Sequence, residues 1–182
     1  MIIGRRFIVA LYLMSISRPQ GFTADKHQKR SSRVEWEHVV PAENFGRAFP
    51  EWREGHALCV DRKGKAFKGR ACAEKVNADY RRMQADMYNL YPAIGSVNAV
   101  RSNKNFQMLG PDVPSAFGSC PMKISGNKVE PPERARGQIA RSSLYMADGH
   151  DLKTSIRNWS VPSFLLLKLQ PVQTVLTELL RW

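Results

Sequence analysis

Residues able to do acid–base or metal chemistry are few in this chain. Its four histidines stand at positions 27, 38, 56 and 150, and only His38 lies in a strand-like run, Val34–Val40 (VEWEHVV), directly after Glu37. An imidazole beside a hard oxygen ligand suits a general base working next to a metal ion. An unperturbed pKa of about 6.5 suits proton abstraction near neutral pH. The pair carries a geometric condition. Successive residues of a regular strand point to opposite faces, so Glu37 and His38 serve one site only at a strand end, a bulge or a strong twist. Pro41 provides such an end. Taken alone, the dipeptide reads more simply as a solvated strand carboxylate beside a satisfied, half-buried histidine.

The three cysteines, Cys59, Cys72 and Cys120, cannot all pair within one chain. Cys59 and Cys72 are near enough in sequence to close a small loop, which leaves Cys120 free or without its partner. With His56 the three also make a candidate structural zinc set, although no CxxC pair accompanies it.

The elements that must position these groups follow from periodicity and punctuation. Val34–Val40 is β-branched and aromatic and reads as a strand stopped by Pro41. Residues 42–70 are glycine-punctuated and read as loop, with a short strand near Lys65–Lys68. From Cys72 to Met87, apolar residues at Ala73, Val76, Tyr80, Met83 and Met87 recur at gaps of three and four, which predicts one helix limited by Pro92. Residues 98–118, rich in Asn, Gly, Pro and Ser, read as loop. Pro131-Pro132 introduces a helix over Glu133–Met146, with Ala135, Ile139 and Met146 facing inward and Arg134, Gln138 and Arg141 on another face.

The length of 182 residues suits one domain, and 43% hydrophobic with 24% charged residues is ordinary globular usage, which argues against wholesale disorder, collagen or a disulfide-dense miniprotein. No apolar run approaches the roughly 20 residues that span a bilayer, which excludes a multi-pass membrane protein. The 28 Lys+Arg against 16 Asp+Glu give a net charge of +12, favouring a polyanionic partner. At the amino end, Arg5-Arg6 before the short apolar stretch Phe7–Ile16 reads as a weak secretory signal or a buried element. Toward the carboxyl end, Val175–Leu180 reads as an amphipathic helix packing on the body.

Three long strings tie these features together: RVEWEHVVPAENFGR (Arg33–Arg47), FKGRACAEKVNADYRRMQADMYNLYPAIGSVNAVRSN (Phe67–Asn103) and EPPERARGQIARSSLYM (Glu130–Met146). Together they closely resemble the bacterial endonuclease I family, non-specific periplasmic or extracellular DNases of the His-Me finger superfamily. The resemblance implies an α+β fold with a ββα-metal finger core surrounded by helices and long loops. It implies His38 as the base that deprotonates the attacking water and Glu37 as a ligand of a single Mg²⁺. Asn89 is implied as the amide ligand on the finger's helix, with Asn98 as the alternative, and Arg70 as the grip on the scissile phosphate. Mg²⁺ prefers oxygen ligands and keeps several waters, so one carboxylate and one amide oxygen suffice. DNA, with RNA as an open second substrate, would be held without sequence preference through phosphates. Candidates for those contacts are Lys63, Lys65, Lys68, Arg81, Arg101, Lys104, Arg134 and Arg141. A periplasmic or secreted monomer with no protein partner is the corresponding expectation.

The likeness covers about residues 33–146. Residues 1–32, signal-like or divergent, and the tail 147–182 depart from the family pattern and look replaced, as does the partner of Cys120. A basic DNA-binding protein descended from such a nuclease, with catalysis lost, is therefore the rival reading.

Overall fold

The computed structural model of the chain describes residues 18–150. The signal-like stretch Met1–Ile16 and the tail helix Val175–Leu180 lie outside the described residues. No helix among the described residues is long and apolar enough to cross a membrane.

The predicted strand forms as β1 (Val34–His38) and pairs antiparallel with β2 (Leu90–Ile94), with Glu37 opposite Tyr91 and His38 opposite Leu90. Pro92, expected to end a helix, instead sits within β2 opposite Trp36. A two-stranded sheet has only edge strands, and an edge tolerates a residue without an N–H. Helix α5 (Gly95–Arg101) follows β2 without a linker. A second sheet has the order β3 (Asn105–Phe106), β6 (Lys128–Glu130), β5 (Cys120–Ser125), β4 (Ser115–Phe117). The α+β class is as expected, but residues 98–118 are not simply loop: α5 runs into them and β3 and β4 lie within them.

Residues 42–70 carry two short helices, α1 (Ala42–Gly46) and α2 (Pro50–Arg53), where loop was expected. The short strand expected near Lys65–Lys68 reduces to an isolated bridge between Val60 and Ala66. The single helix expected over Cys72–Met87 is two, α3 (Arg70–Val76) and α4 (Ala78–Gln84). Asn77 breaks it. Its backbone is extended, and its side chain accepts from Tyr80 N, capping α4 while α3 ends. Of the expected stripe, Ala73, Tyr80 and Met83 are buried and Val76 is half-buried, but Met87, past the end of α4, is 61% exposed and does not belong to it. Helix α6 (Glu133–Gly149) starts directly after Pro131-Pro132 and runs slightly longer than expected.

Two buried clusters flank the end of β1. Val39 packs with Phe106, Phe117, Met122, Val129 and Ile139; Val40 packs with Phe45, Ala73, Tyr80, Met83 and Met146. Helix α6 serves both, because Ile139 and Met146 are seven residues, about two turns or 10.5 Å, apart on one face. Neighbouring valines thus anchor the chain in opposite directions just where the strand stops.

Cys59 and Cys72 form a disulfide that ties the 54–69 segment to α3, and both are fully buried; Cys120 is a free, half-buried thiol. This bond removes two members of the candidate zinc set, and the described residues hold no group of three or more His, Cys, Asp or Glu that could enclose a metal. The loop spans 13 residues, for which chain entropy gives about 3 kcal/mol. The double variant Cys59→Ala/Cys72→Ala is therefore expected to lose stability of that order in denaturant titration, with Cys120→Ala nearly neutral; equal stability of all three would show that the bond does not tie this segment.

Candidate active site

Glu37 and His38 both line one open cleft of about 490 Å³, together with Trp36, Arg70, Asn98 and Arg101. The alternation of the strand does not separate the pair, because β1 ends at His38 and two helices hold its last residues. Helix α4 holds the histidine: His38 Nε2 lies 2.8 Å from the backbone oxygen of Gln84, the last residue of that helix. A carbonyl oxygen only accepts, so Nε2 carries the hydrogen, and the neutral ring keeps its lone pair on Nδ1. Burial lowers the His38 pKa; the Gln84 carbonyl opposes this, while the positive charges of Arg70 and Arg101 add to it. The ring is thus held neutral at pH 7, the form that accepts a proton.

Helix α5 holds the glutamate. Arg101 is 2% exposed and its Nη1 binds both the Glu37 carboxylate and the carbonyl of His38. Its Nη2 donates to Val39 O at 2.6 Å and its Nε to Lys104 O at 3.0 Å, while the Phe106 ring centroid lies 4.4 Å from the guanidinium carbon. Burial pushes the Glu37 carboxyl up to about 7, against the pull of Arg101. A further positive charge in the cleft would favour its ionised form.

Asn98 stands three residues before Arg101 on α5 and reaches the same cleft; its Nδ2 donates to Glu35 Oε2 at 3.1 Å. Asn89 does not reach it. Its side chain is fully buried, with Oδ1 accepting from Val40 N at 2.7 Å and Nδ2 donating to Val40 O at 3.0 Å. Both amide atoms are spent on bridging the chain just past β1, so the expected ligand is instead a structural clamp, and the alternative, Asn98, is the amide at the cleft. Arg70, the first residue of α3, lines the cleft and is exposed; its Nη2 makes a long 3.5 Å contact to Gln84 Oε1, and its guanidinium also bears on the Tyr80 hydroxyl.

The remaining basic candidates divide. Lys63, Lys65, Lys68, Arg134 and Arg141 are exposed. Arg81 is exposed but donates to the carbonyls of Glu74 and Lys75 at the end of α3. Lys104 is half-buried and donates to Val100 O at 2.9 Å. Arg101 is a correction: it was expected on a phosphate-binding surface and is instead interior, paired with Glu37. Sequence reasoning missed Gln84 as the histidine's anchor, which no side-chain pattern signals because its backbone does the work. It also missed Glu35 and the interior role of Arg101; the spacing of three would have put Asn98 and Arg101 on one helix face had α5 been anticipated.

Residues 9–181 match the sequence model of the Endonuclease I family, a span wider than the 33–146 likeness read from the strings. The chain belongs to the endonuclease I family. It is 41% identical over 129 residues to "Endonuclease-1" of Buchnera aphidicola subsp. Acyrthosiphon pisum (strain APS), covering 69% of this chain and 45% of that relative. It is 38% identical over 136 residues to both a "Periplasmic deoxyribonuclease" and an "Extracellular deoxyribonuclease" of Aeromonas hydrophila, covering 73% of this chain and 51% and 53% of theirs. The chain thus spans about half the length of the curated relatives it matches. Within the family frame, the pairing of Arg101 with Glu37 is open to a direct test. Replacing one partner of a buried pair typically costs about 3–5 kcal/mol, because the other charge is left unsolvated. Arg101→Met is expected to destabilise the fold by that order in chemical denaturation, and Arg134→Ala by less than about 0.5 kcal/mol, as for surface sites. Near-equal losses would contradict a buried, structural Arg101.

Proposed function

We propose that this chain is a metal-dependent endonuclease that hydrolyses phosphodiester bonds of DNA without sequence preference. The observation that carries this reading is the His38 ring, anchored through Nε2 on the Gln84 carbonyl, in the cleft that also receives Glu37, Asn98 and Arg70. We read β1, β2 and α5 as the two strands and the helix of a ββα-metal finger. The antiparallel pairing of the strands and the direct run from β2 into α5 support it.

Glu37 and Asn98 would hold a single Mg²⁺. A carboxylate and an amide oxygen are the hard donors that such an ion prefers, and Mg²⁺ keeps several of its waters when it binds a protein through few ligands. Such an ion, when bound, supplies positive charge where negative charge builds up at phosphorus and on the leaving 3′ oxygen. The chain's own residues do the rest. His38 Nδ1 takes a proton from the attacking water, and the Gln84 carbonyl keeps the ring in the tautomer and orientation that this requires. Arg70 leaves its weak contact with Gln84 and grips the scissile phosphate with its planar fork, a geometry that Lys cannot provide. The exposed Lys63, Lys65, Lys68, Arg134 and Arg141 supply sequence-independent, salt-sensitive phosphate contacts. The names of the Aeromonas relatives support a periplasmic or secreted location for this chain, where the Cys59–Cys72 disulfide persists.

Plasmid nicking with Mg²⁺ and with EDTA, on protein checked for folding by circular dichroism, tests this reading. Wild type is expected to nick in Mg²⁺ and to stop in EDTA. His38→Ala is expected to lose about 10²–10⁴-fold in rate while still retaining DNA at low salt. Cleavage by His38→Ala at the wild-type rate would overturn the mechanism. Retention of DNA by wild type with no cleavage would favour the non-catalytic, DNA-binding reading instead.

A further inference from the structure

The face of β1 that carries Glu37 also carries Glu35, two residues earlier on the same side of the strand. Glu35 is not a surface carboxylate: its side chain is 22% exposed, and Arg30 grips it through Nε at 2.8 Å and through Nη2. The same carboxylate accepts from Asn98 Nδ2 at 3.1 Å, and that nitrogen also lies 3.5 Å from the carbonyl of Trp36. The approach depends on Gly95 at the start of α5. A Cβ there would lie 2.6 Å from Glu35 Oε1 and 2.6 Å from the carbonyl oxygen of Arg30, so any larger residue would push the carboxylate away from the helix.

Carboxylate and carbonyl oxygens accept, and of the two ends of an amide only the nitrogen donates. The contact with Glu35 therefore decides which way the Asn98 amide is turned. With Nδ2 committed to β1, Oδ1 is left on the side away from Glu35. We propose that Glu35, held by Arg30, is a positioning residue that turns the amide oxygen of Asn98 toward the cleft and so sets the affinity of the site for a divalent cation. This rests on the reading of Glu37 and Asn98 as the protein ligands of the ion. Without Glu35 the amide can rotate and present its NH₂ to the cation, which repels it. Outer-shell partners of this kind typically change metal affinity by about 10–100-fold.

Binding of Mn²⁺, used as the probe for the Mg²⁺ site, to the full chain without nucleic acid, followed by electron paramagnetic resonance, tests the proposal. Glu35→Ala is expected to weaken Mn²⁺ binding about 10–100-fold. Glu35→Gln keeps an oxygen that accepts from Asn98 and is expected to stay much nearer to wild type. Wild-type affinity in Glu35→Ala, even with a lowered melting temperature, would reduce Glu35 to a strut and overturn the proposal. So would a Gln variant as weak as the Ala variant, since charge rather than the hydrogen bond would then matter. Should Glu35→Ala fail to fold, Arg30→Ala carries the test: weakened binding is expected, and wild-type affinity overturns the proposal. Glu37→Ala and Asn98→Ala separate the two levels of the argument. If either binds Mn²⁺ like wild type, the metal-site reading itself fails. If both lose binding while Glu35→Ala keeps it, only the positioning role falls.

Discussion

Arg101 sits 2% exposed where β1 stops, and its guanidinium answers several needs at once. The paired register ends at His38 opposite Leu90, so the carbonyls of His38 and Val39 near that end turn to Arg101. The same group takes a carboxylate oxygen of Glu37, and its remaining edge is closed by Lys104 O and the Phe106 ring. Taking a guanidinium out of water costs several kcal/mol, and only a full set of acceptors offsets it. The burial of Arg101 therefore requires β1 to end here, with Glu37 turned toward α5. The alternation problem posed by adjacent Glu37 and His38 is resolved by the same constraint. One residue is held from the α5 side by Arg101 and the other from the α4 side by Gln84, around a single cleft.

Packing reinforces that end from beneath. Val39 and Val40 enter different clusters, and α6 closes both through Ile139 and Met146. Asn89 acts as a third fixing point: its backbone oxygen accepts from Val39 N at 2.9 Å, and its side-chain amide meets both polar backbone atoms of Val40. The chain just past the strand thus keeps its hydrogen bonds after regular pairing has stopped, as a buried backbone must. A rigid strand end is what a base and a metal ligand need if they are to stay in register with a phosphate, since small misplacements of a reacting group cost much of the rate.

Much of this arrangement was legible in the sequence wherever local signals carry it. The strand at VEWEH, the helix after Pro131-Pro132 and the inward Ala73, Tyr80 and Met83 follow from local patterns, whereas Met87, read as the end of the same stripe, is exposed. What failed was short or non-local. Helix α5 (GSVNAVR) is only seven residues, opens on glycine and runs into an Asn-rich stretch, so it reads as loop. Of the two amides that the resemblance implied, Asn89 is buried against Val40 and its alternative, Asn98, lies on this helix at the cleft. Asn77 interrupts a stripe that stays in phase, because a capping side chain stops one helix while starting the next. Arg101 is one of 28 basic residues, and no local pattern separates an interior guanidinium from a solvated one.

Glu35, Glu37, Arg30 and Arg101 form two carboxylate–guanidinium pairs on one face of β1, with Asn98 linked to the first pair and three residues from the second on α5. In the proposed metal site it is therefore Asn98, and not Asn89, that stands with Glu37. Anomalous diffraction from crystals of the full chain soaked in Mn²⁺ measures this directly. A peak at bonding distance from a Glu37 carboxylate oxygen and from Asn98 Oδ1, with Asn89 still paired to Val40, is the predicted result. A peak bound by Asn89, or one lying away from Glu37 and Asn98, would contradict it.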